Sequence, residues 1–124
     1  MDRVFVLLKR KKGLTFEQFR EHYENSHRRL GEKYFGHLFK SYHRNYVRTG
    51  DRWTDGKAVE NAYDCLTELV FHDEGGYAEL VRIATNPEVQ RILAEDEERF
   101  CDRAACSNAI SDLVTSDCSK FKKA

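Results

Sequence analysis

Val4-Phe5-Val6-Leu7-Leu8-Lys9-Arg10-Lys11-Lys12-Gly13-Leu14-Thr15-Phe16-Glu17-Gln18-Phe19 opens the chain with a strand, a break and a helix start. Val4 to Leu8 is apolar on both alternating faces, so the strand is expected to be covered on both sides. Arg10-Lys11-Lys12-Gly13 interrupts it. Thr15-Phe16-Glu17-Gln18 reads as a capping box, with Thr15 as N-cap and Gln18 reaching back. Phe16, Phe19, Tyr23, Leu30 and Tyr34 then recur at helical spacing, and Gly31 or Gly36 ends the helix.

Outward from this unit, residues 39–48 form a second strand rich in Tyr and Val. Residues 49–61 are a polar loop around Trp53, a candidate lid. A third strand covers 63–71, with Cys65, Leu69 and Phe71 alternating against Leu66 and Val70. Asp73-Glu74-Gly75-Gly76 turns into a short helix through Ala84. Asn86-Pro87 starts another, with Pro87 suited to its first position and Val89, Ile92, Leu93 and Phe100 as its apolar stripe. Residues 109–115 read as a fourth strand, and 116–124 as a basic, frayed tail. The order is βαββαβ, an α+β ferredoxin-like sandwich with helices on one face of an antiparallel sheet. One domain is expected over 1–124, with its core at about 4–115. The second sheet face is also apolar, and a second copy of the sheet would cover it, which predicts a homodimer.

The composition excludes several classes. The chain has 124 residues, with 21 Lys+Arg balancing 21 Asp+Glu. A zero net charge argues against nucleic acid as the main partner. No apolar run approaches the ~18 residues of a membrane span, and Met1-Asp2-Arg3-Val4 leads directly into strand-like sequence without a signal-peptide core. A cytoplasmic domain with its thiols reduced is therefore expected. Cys65, Cys101, Cys106 and Cys118 show no zinc-ligand spacing with the histidines, so no metal site is expected. The glycine-rich nucleotide-binding motifs and the serine-hydrolase elbow are missing. Lys9 to Lys12 reads as a solvated turn that could also greet an anionic substrate.

Two polar residues interrupt apolar stripes. His27 lies four residues after Tyr23 and three before Leu30, so its imidazole faces inward. Asp96 does the same on the last helix. Each needs a partner, either in a structural network or as a general acid/base pair between helix and sheet. Strand two offers Tyr42, Arg44 and Tyr46 on one face, and Ser41, His43 and Asn45 on the other. Period two lets only one set face the helices. Strand three carries Glu68 and His72 opposite Thr67 and Phe71. A pocket of Tyr23, Tyr42, Tyr46 and Trp53 would suit a flat phenolic or polyketide-like molecule.

Several stretches resemble the EthD-like family. Leu8 to Arg20 resembles K-R-K-x-G-[LM]-[ST]-x-E-x-F, and His22 to Leu30 resembles Y-W-x-x-x-H-x-P-L. Tyr42 to Tyr46 is similar to R-Y-x-Q-N-H, Asp64 to Phe71 to D-G-x-A-E-L-W-F, and Asp96 to Asp102 to D-E-x-x-F-x-D. The resemblance implies a dimeric α/β barrel built from two ferredoxin-like subunits. Family members include muconolactone isomerases and cofactor-free decarboxylases, dehydratases and cyclases. His27 matches the family histidine at the end of the first helix, and Glu68 and Asp96 match family acids. Tyr46 stands in place of a histidine and Arg44 in place of a glutamine.

The resemblance thus implies a cofactor-independent lyase or isomerase acting on a small aromatic, lactone or polyketide-like acid. His27, Tyr46 and Asp96 would be catalytic, and Tyr23, Tyr42, Arg44, Trp53 and Glu68 would bind substrate. A haem-dependent or cofactor-free monooxygenase and a non-catalytic dimeric binding module are the alternatives.

Overall fold

In a computed structural model, which describes residues 2–123, the chain folds as an antiparallel sheet backed by helices. The sheet strands are β1 (Arg3–Leu8), β2 (Phe39–Tyr46), β5 (Cys65–Phe71) and β6 (Ser107–Ile110), ordered β2-β5-β1-β6. Every adjacent pair is antiparallel. The helices are α1 (Phe16–His22), α2 (Arg28–Phe35), α3 (Gly76–Ala84) and α4 (Pro87–Phe100). This is the ferredoxin-like order expected from the sequence.

The local signals act as their chemistry requires. The amide of Gln18 donates to Thr15 Oγ1 at 3.1 Å, and the Thr15 amide to Gln18 Oε1 at 2.9 Å, which closes the capping box. Asn86 caps α4, with its Oδ1 accepting from the amides of Glu88 and Val89. The helix-facing residues of the sheet are Val4, Leu8, Cys65, Thr67, Leu69 and Phe71. Phe19, Tyr23 and Phe100 pack down on them as the core. Burying each such phenylalanine contributes about 2–3 kcal/mol.

The basic turn is not simply solvated. Lys9 and Arg10 both face Asp64, whose Oδ2 accepts from the Arg10 amide at 2.8 Å. Lys11 Nζ donates to the Glu98 carbonyl at 2.9 Å, near the C-terminal end of α4, where a cation is favoured.

Three expectations change. The first helix is not continuous: a π-helical turn, Tyr23–His27, joins α1 to α2, with the Arg28 amide donating to the Tyr23 carbonyl. The extra residue in that turn shifts the following phase, so Phe35 is buried rather than Tyr34, and Gly36 caps α2. The last strand is shorter than expected and earlier, Ser107–Ile110. Its partner is β1, and pairing stops where β1 starts, with the Ser111 amide donating to Arg3 O at 2.9 Å. Leu113 and Val114 lie beyond it, exposed. Finally, residues 49–61 contain a small hairpin of β3 (Gly50–Asp51) and β4 (Ala58–Val59).

One close approach fixes the start of α3. A Cβ on Gly76 would meet Phe71 Cβ at 2.6 Å, and Phe71 is fully buried and cannot yield. Gly76→Ala is expected to destabilise the fold by about 1–3 kcal/mol through overpacking. A thermal melt reads this, and an unchanged midpoint would contradict the close approach.

Candidate functional site

Asp96 is the hub of the site. It lies on α4 with 2% of its surface exposed. Its Oδ1 accepts from Ser26 Oγ at 2.7 Å and from His22 Nε2 at 3.0 Å, and its Oδ2 accepts from His27 Nδ1 at 3.0 Å. Arg99 approaches Oδ1 at 3.5 Å from the surface. Burial by itself would raise the carboxyl. The hydrogen bonds from His27 and Ser26, with the electrostatic attraction of the His22 and His27 rings, outweigh it and hold Asp96 well below the ordinary carboxylate range. An ionised carboxylate only accepts, so His27 Nδ1 and His22 Nε2 both carry hydrogen.

The π turn makes this convergence possible. In an α-helix, residues five apart are about 140° apart around the axis. The wider turn brings His22 and His27 to the same carboxylate, with Ser26 between them. Such turns recur at functional sites. Phe100 lies beneath both rings, stacked on His22 at 4.8 Å and tilted against His27 at 5.1 Å.

With Nδ1 committed to Asp96, the other edge of His27 faces a cleft between the helices and the sheet. Its inner chamber, about 210 Å³, is lined by Val4, Val6, Tyr23, Tyr42, Thr67 and Leu69, with other apolar side chains. An outer recess of about 510 Å³ includes Cys101, Arg103, Cys106 and Ser107. His27, Glu97, Val6, Leu8 and Asn108 border both compartments. Glu97 Oε2 lies 3.8 Å from His27 Nε2, while its Oε1 accepts from Arg103 Nε at 3.0 Å.

A hydroxyl chain crosses the chamber wall. Tyr42 Oη donates to Tyr23 Oη at 3.2 Å, and Tyr23 Oη shares a hydrogen with Thr67 Oγ1 at 2.7 Å. Burial pushes the Tyr42 phenol up to about 12 and raises Tyr23 as well, so both keep their hydrogens at neutral pH.

The other expected site residues are placed elsewhere. Of the two faces of β2, Tyr42, Arg44 and Tyr46 look toward the helices. Yet only Tyr42 reaches the cleft. Glu24, in the π turn, takes Arg44 as a bidentate partner at 2.6 and 2.9 Å. It also accepts from Tyr46 Oη at 2.5 Å. Arg44 and its hydrogen bonds, helped by Tyr46, lower the Glu24 carboxyl against burial. Tyr46 and Arg44 are therefore consumed in a structural lattice, not turned to the cleft. Glu68 lies on the opposite sheet face, paired with Arg3 at 2.6 Å. Trp53 is fully exposed at the tip of the β3–β4 hairpin, and among the described residues none of 49–61 lines the cleft.

Sequence reasoning missed His22, Ser26, Glu24 and Glu97 as site residues. The adjacent acids Asp96-Glu97 carried a signal for the last of these, since consecutive carboxylates at a helix–sheet boundary look toward different neighbours. Among the described residues, no group of three or more His, Cys, Asp and Glu side chains is arranged to hold a metal ion. No helix there is long and apolar enough to cross a membrane.

A family model described as the EthD domain matches residues 11–104. Among solved structures, an ethyl tert-butyl ether D (EthD) family protein of Bacillus halodurans C-125 is similar at 18% identity. That match has a TM-score of 0.61 and covers 92% of this chain and 100% of that one. An Arabidopsis thaliana protein is similar at 14% identity and TM-score 0.60, covering 94% of this chain and 99% of that one. An Agrobacterium tumefaciens protein is similar at 12% identity and TM-score 0.52, with coverages of 92% and 94%. At these identities the likeness concerns the fold. No curated protein matches the chain.

Proposed function

The chain belongs to the EthD family, and from that premise we propose that it is a cofactor-independent lyase or isomerase in which His27 moves a proton on a small lactone, aromatic or polyketide-like substrate. The observation that carries this reading is the His27 ring, tied at Nδ1 to buried Asp96 and open to the cleft at its other edge. That is the arrangement of an oriented general base.

In this reading Nε2 takes a hydrogen from carbon next to a carbonyl, and the electron pair moves onto the carbonyl oxygen as an enolate. Asp96 stabilises the imidazolium so formed. Tyr42, the terminal hydroxyl of the buried chain, turns its hydrogen from Tyr23 to the enolate oxygen. The proton then returns to a different carbon, giving isomerisation; or the enolate carbon attacks a second carbonyl of the substrate, closing a ring, and the proton goes to the new alkoxide; or it leaves with a departing hydroxyl as water. Arg44 is saturated by Glu24 and cannot hold a substrate carboxylate, so these outcomes are favoured over decarboxylation. The inner chamber is smaller than the ~300 Å³ at the low end of drug-sized sites, which suits one ring.

The test is hydrogen exchange in deuterium oxide with a panel of lactones and β-keto aromatic compounds, read by mass spectrometry. Incorporation of deuterium next to the carbonyl, or loss of water, supports the reading. A panel that binds in the cleft without exchange or turnover supports a binding module instead.

The same reading includes a homodimer. Phe5, Leu7 and Leu66 lie on the sheet face away from the helices and remain only partly buried. A second sheet laid across them would complete the barrel that the sequence resemblance implies. Native mass spectrometry is expected to give a dimer for the wild type and a folded monomer for Phe5→Arg. A wild-type monomer at micromolar concentration would remove the barrel from the proposal.

A further inference from the structure

Cys101 and Cys106 stand at the mouth of the cleft, and proton transfer makes no use of them. Cys101 ends α4 and is 5% exposed. Cys106 follows the turn Arg103–Ala105, leads into β6 and is partly open. Both line the outer recess together with His27 and Glu97. Cys106 Sγ accepts from the Lys9 amide at 3.3 Å and points its own hydrogen at the Asp102 carbonyl at 3.1 Å. The Lys9 amide stays on the sulfur when that hydrogen is given up, and so favours the charged form.

We propose that Cys101 and Cys106 form a peroxide-reactive dithiol site in the mouth of the cleft, with Cys106 the attacking sulfur and Cys101 the resolving one. The electrostatics agree with the assignment. The Cys101 hydrogen bond, helped by the Lys9 amide, brings Cys106 down to about 7, against burial and the charges of Asp102 and Glu97. Its donation to Cys106, with burial, pushes Cys101 up, so it keeps its hydrogen.

The chemistry closes with hydrogen peroxide as the oxidant. The Cys106 thiolate attacks one peroxide oxygen. An S–O bond forms, the O–O bond breaks, and the hydroxide leaves as water after taking the proton that Cys106 had released. Cys101 then attacks the sulfenic sulfur. The S–S bond forms, the S–O bond breaks, and the hydroxyl departs as water with the Cys101 hydrogen. Two thiols lose two electrons and two hydrogens, and the peroxide becomes two waters. The resulting bond would staple the turn that carries Arg103 and Ala104, which also line the recess.

The experiment treats the full chain with hydrogen peroxide, then alkylates, digests and maps it by mass. The expected product is a cross-linked Cys101–Cys106 peptide, lighter by two hydrogens, with Cys65 and Cys118 alkylated. In Cys101→Ser, Cys106 is expected to accumulate as a sulfenic acid trapped by dimedone. In Cys106→Ser, peroxide consumption is expected to fall at least about 10-fold, the difference between a largely ionised thiol and an ordinary one at neutral pH. Circular dichroism checks that both variants fold. Failure of the cross-linked peptide to form, or oxidation of exposed Cys118 as fast as Cys106 in the folded wild type, would overturn the proposal. These readouts follow sulfur alone, so they stand or fall apart from the proton-transfer reading.

Discussion

Replacing His27 by Ala is expected to cut turnover at least about 100-fold, the ordinary contribution of a positioned general acid or base. Two other effects must be separated from the loss of chemistry. The imidazole packs against Tyr23 and Phe100, and it donates one of the hydrogen bonds that keep Asp96 buried. Alanine removes all of this together. His27→Asn is the sharper probe, because its amide can still donate to Asp96 Oδ2 but cannot accept a proton from carbon. The Asn variant is expected to melt near the wild type and to lose deuterium exchange to the same extent as Ala. An Asn variant with wild-type exchange would remove His27 as the base. Weakened ligand binding in both variants, with no turnover in the wild type, would identify a binding module.

The sheet is readable because its central strands are compact apolar runs bounded by breaks. Val4 to Leu8 and Cys65 to Phe71 carry apolar residues on both alternating faces, and both lie inside the sheet, each flanked by two strands. The last strand was misplaced because Leu113 and Val114 have strand propensity, whereas pairing depends on how far β1 extends. His27 and Asp96 were legible as polar breaks in apolar stripes. His22 was not, since an α-helical period places it off the His27 face, and only the π turn brings the two together. Tyr46 and Arg44 illustrate a different limit. Their face was one of two allowed by period two, but their occupation by Glu24 is a tertiary pairing between a helix and a strand 20 residues away. No local pattern encodes which carboxylate will reach which guanidinium.

Replacing Asp96 by Asn is expected to be the most destabilising change in the site, at about 3 kcal/mol, the scale for breaking a buried charged pair by removing one member. For a chain of this size that is a drop of about 10 °C in melting temperature. The cause is what remains behind. Three donors converge on the carboxylate, from His22, Ser26 and His27. An amide offers one accepting oxygen and turns its own hydrogens toward donors. The pH dependence distinguishes this from simple misfit. Asp96 is held below its unfolded value of 3.8, so its ionised form contributes stability above that pH and loses it as pH falls through the folded value. The gap between wild type and Asp96→Asn should therefore be full near neutrality and shrink steadily in acid below about pH 4. Urea melts of both proteins across that range measure it. A gap that stays constant down to the acid limit would mean that Asp96 acts through shape alone, and the oriented, charge-backed imidazole would lose its foundation.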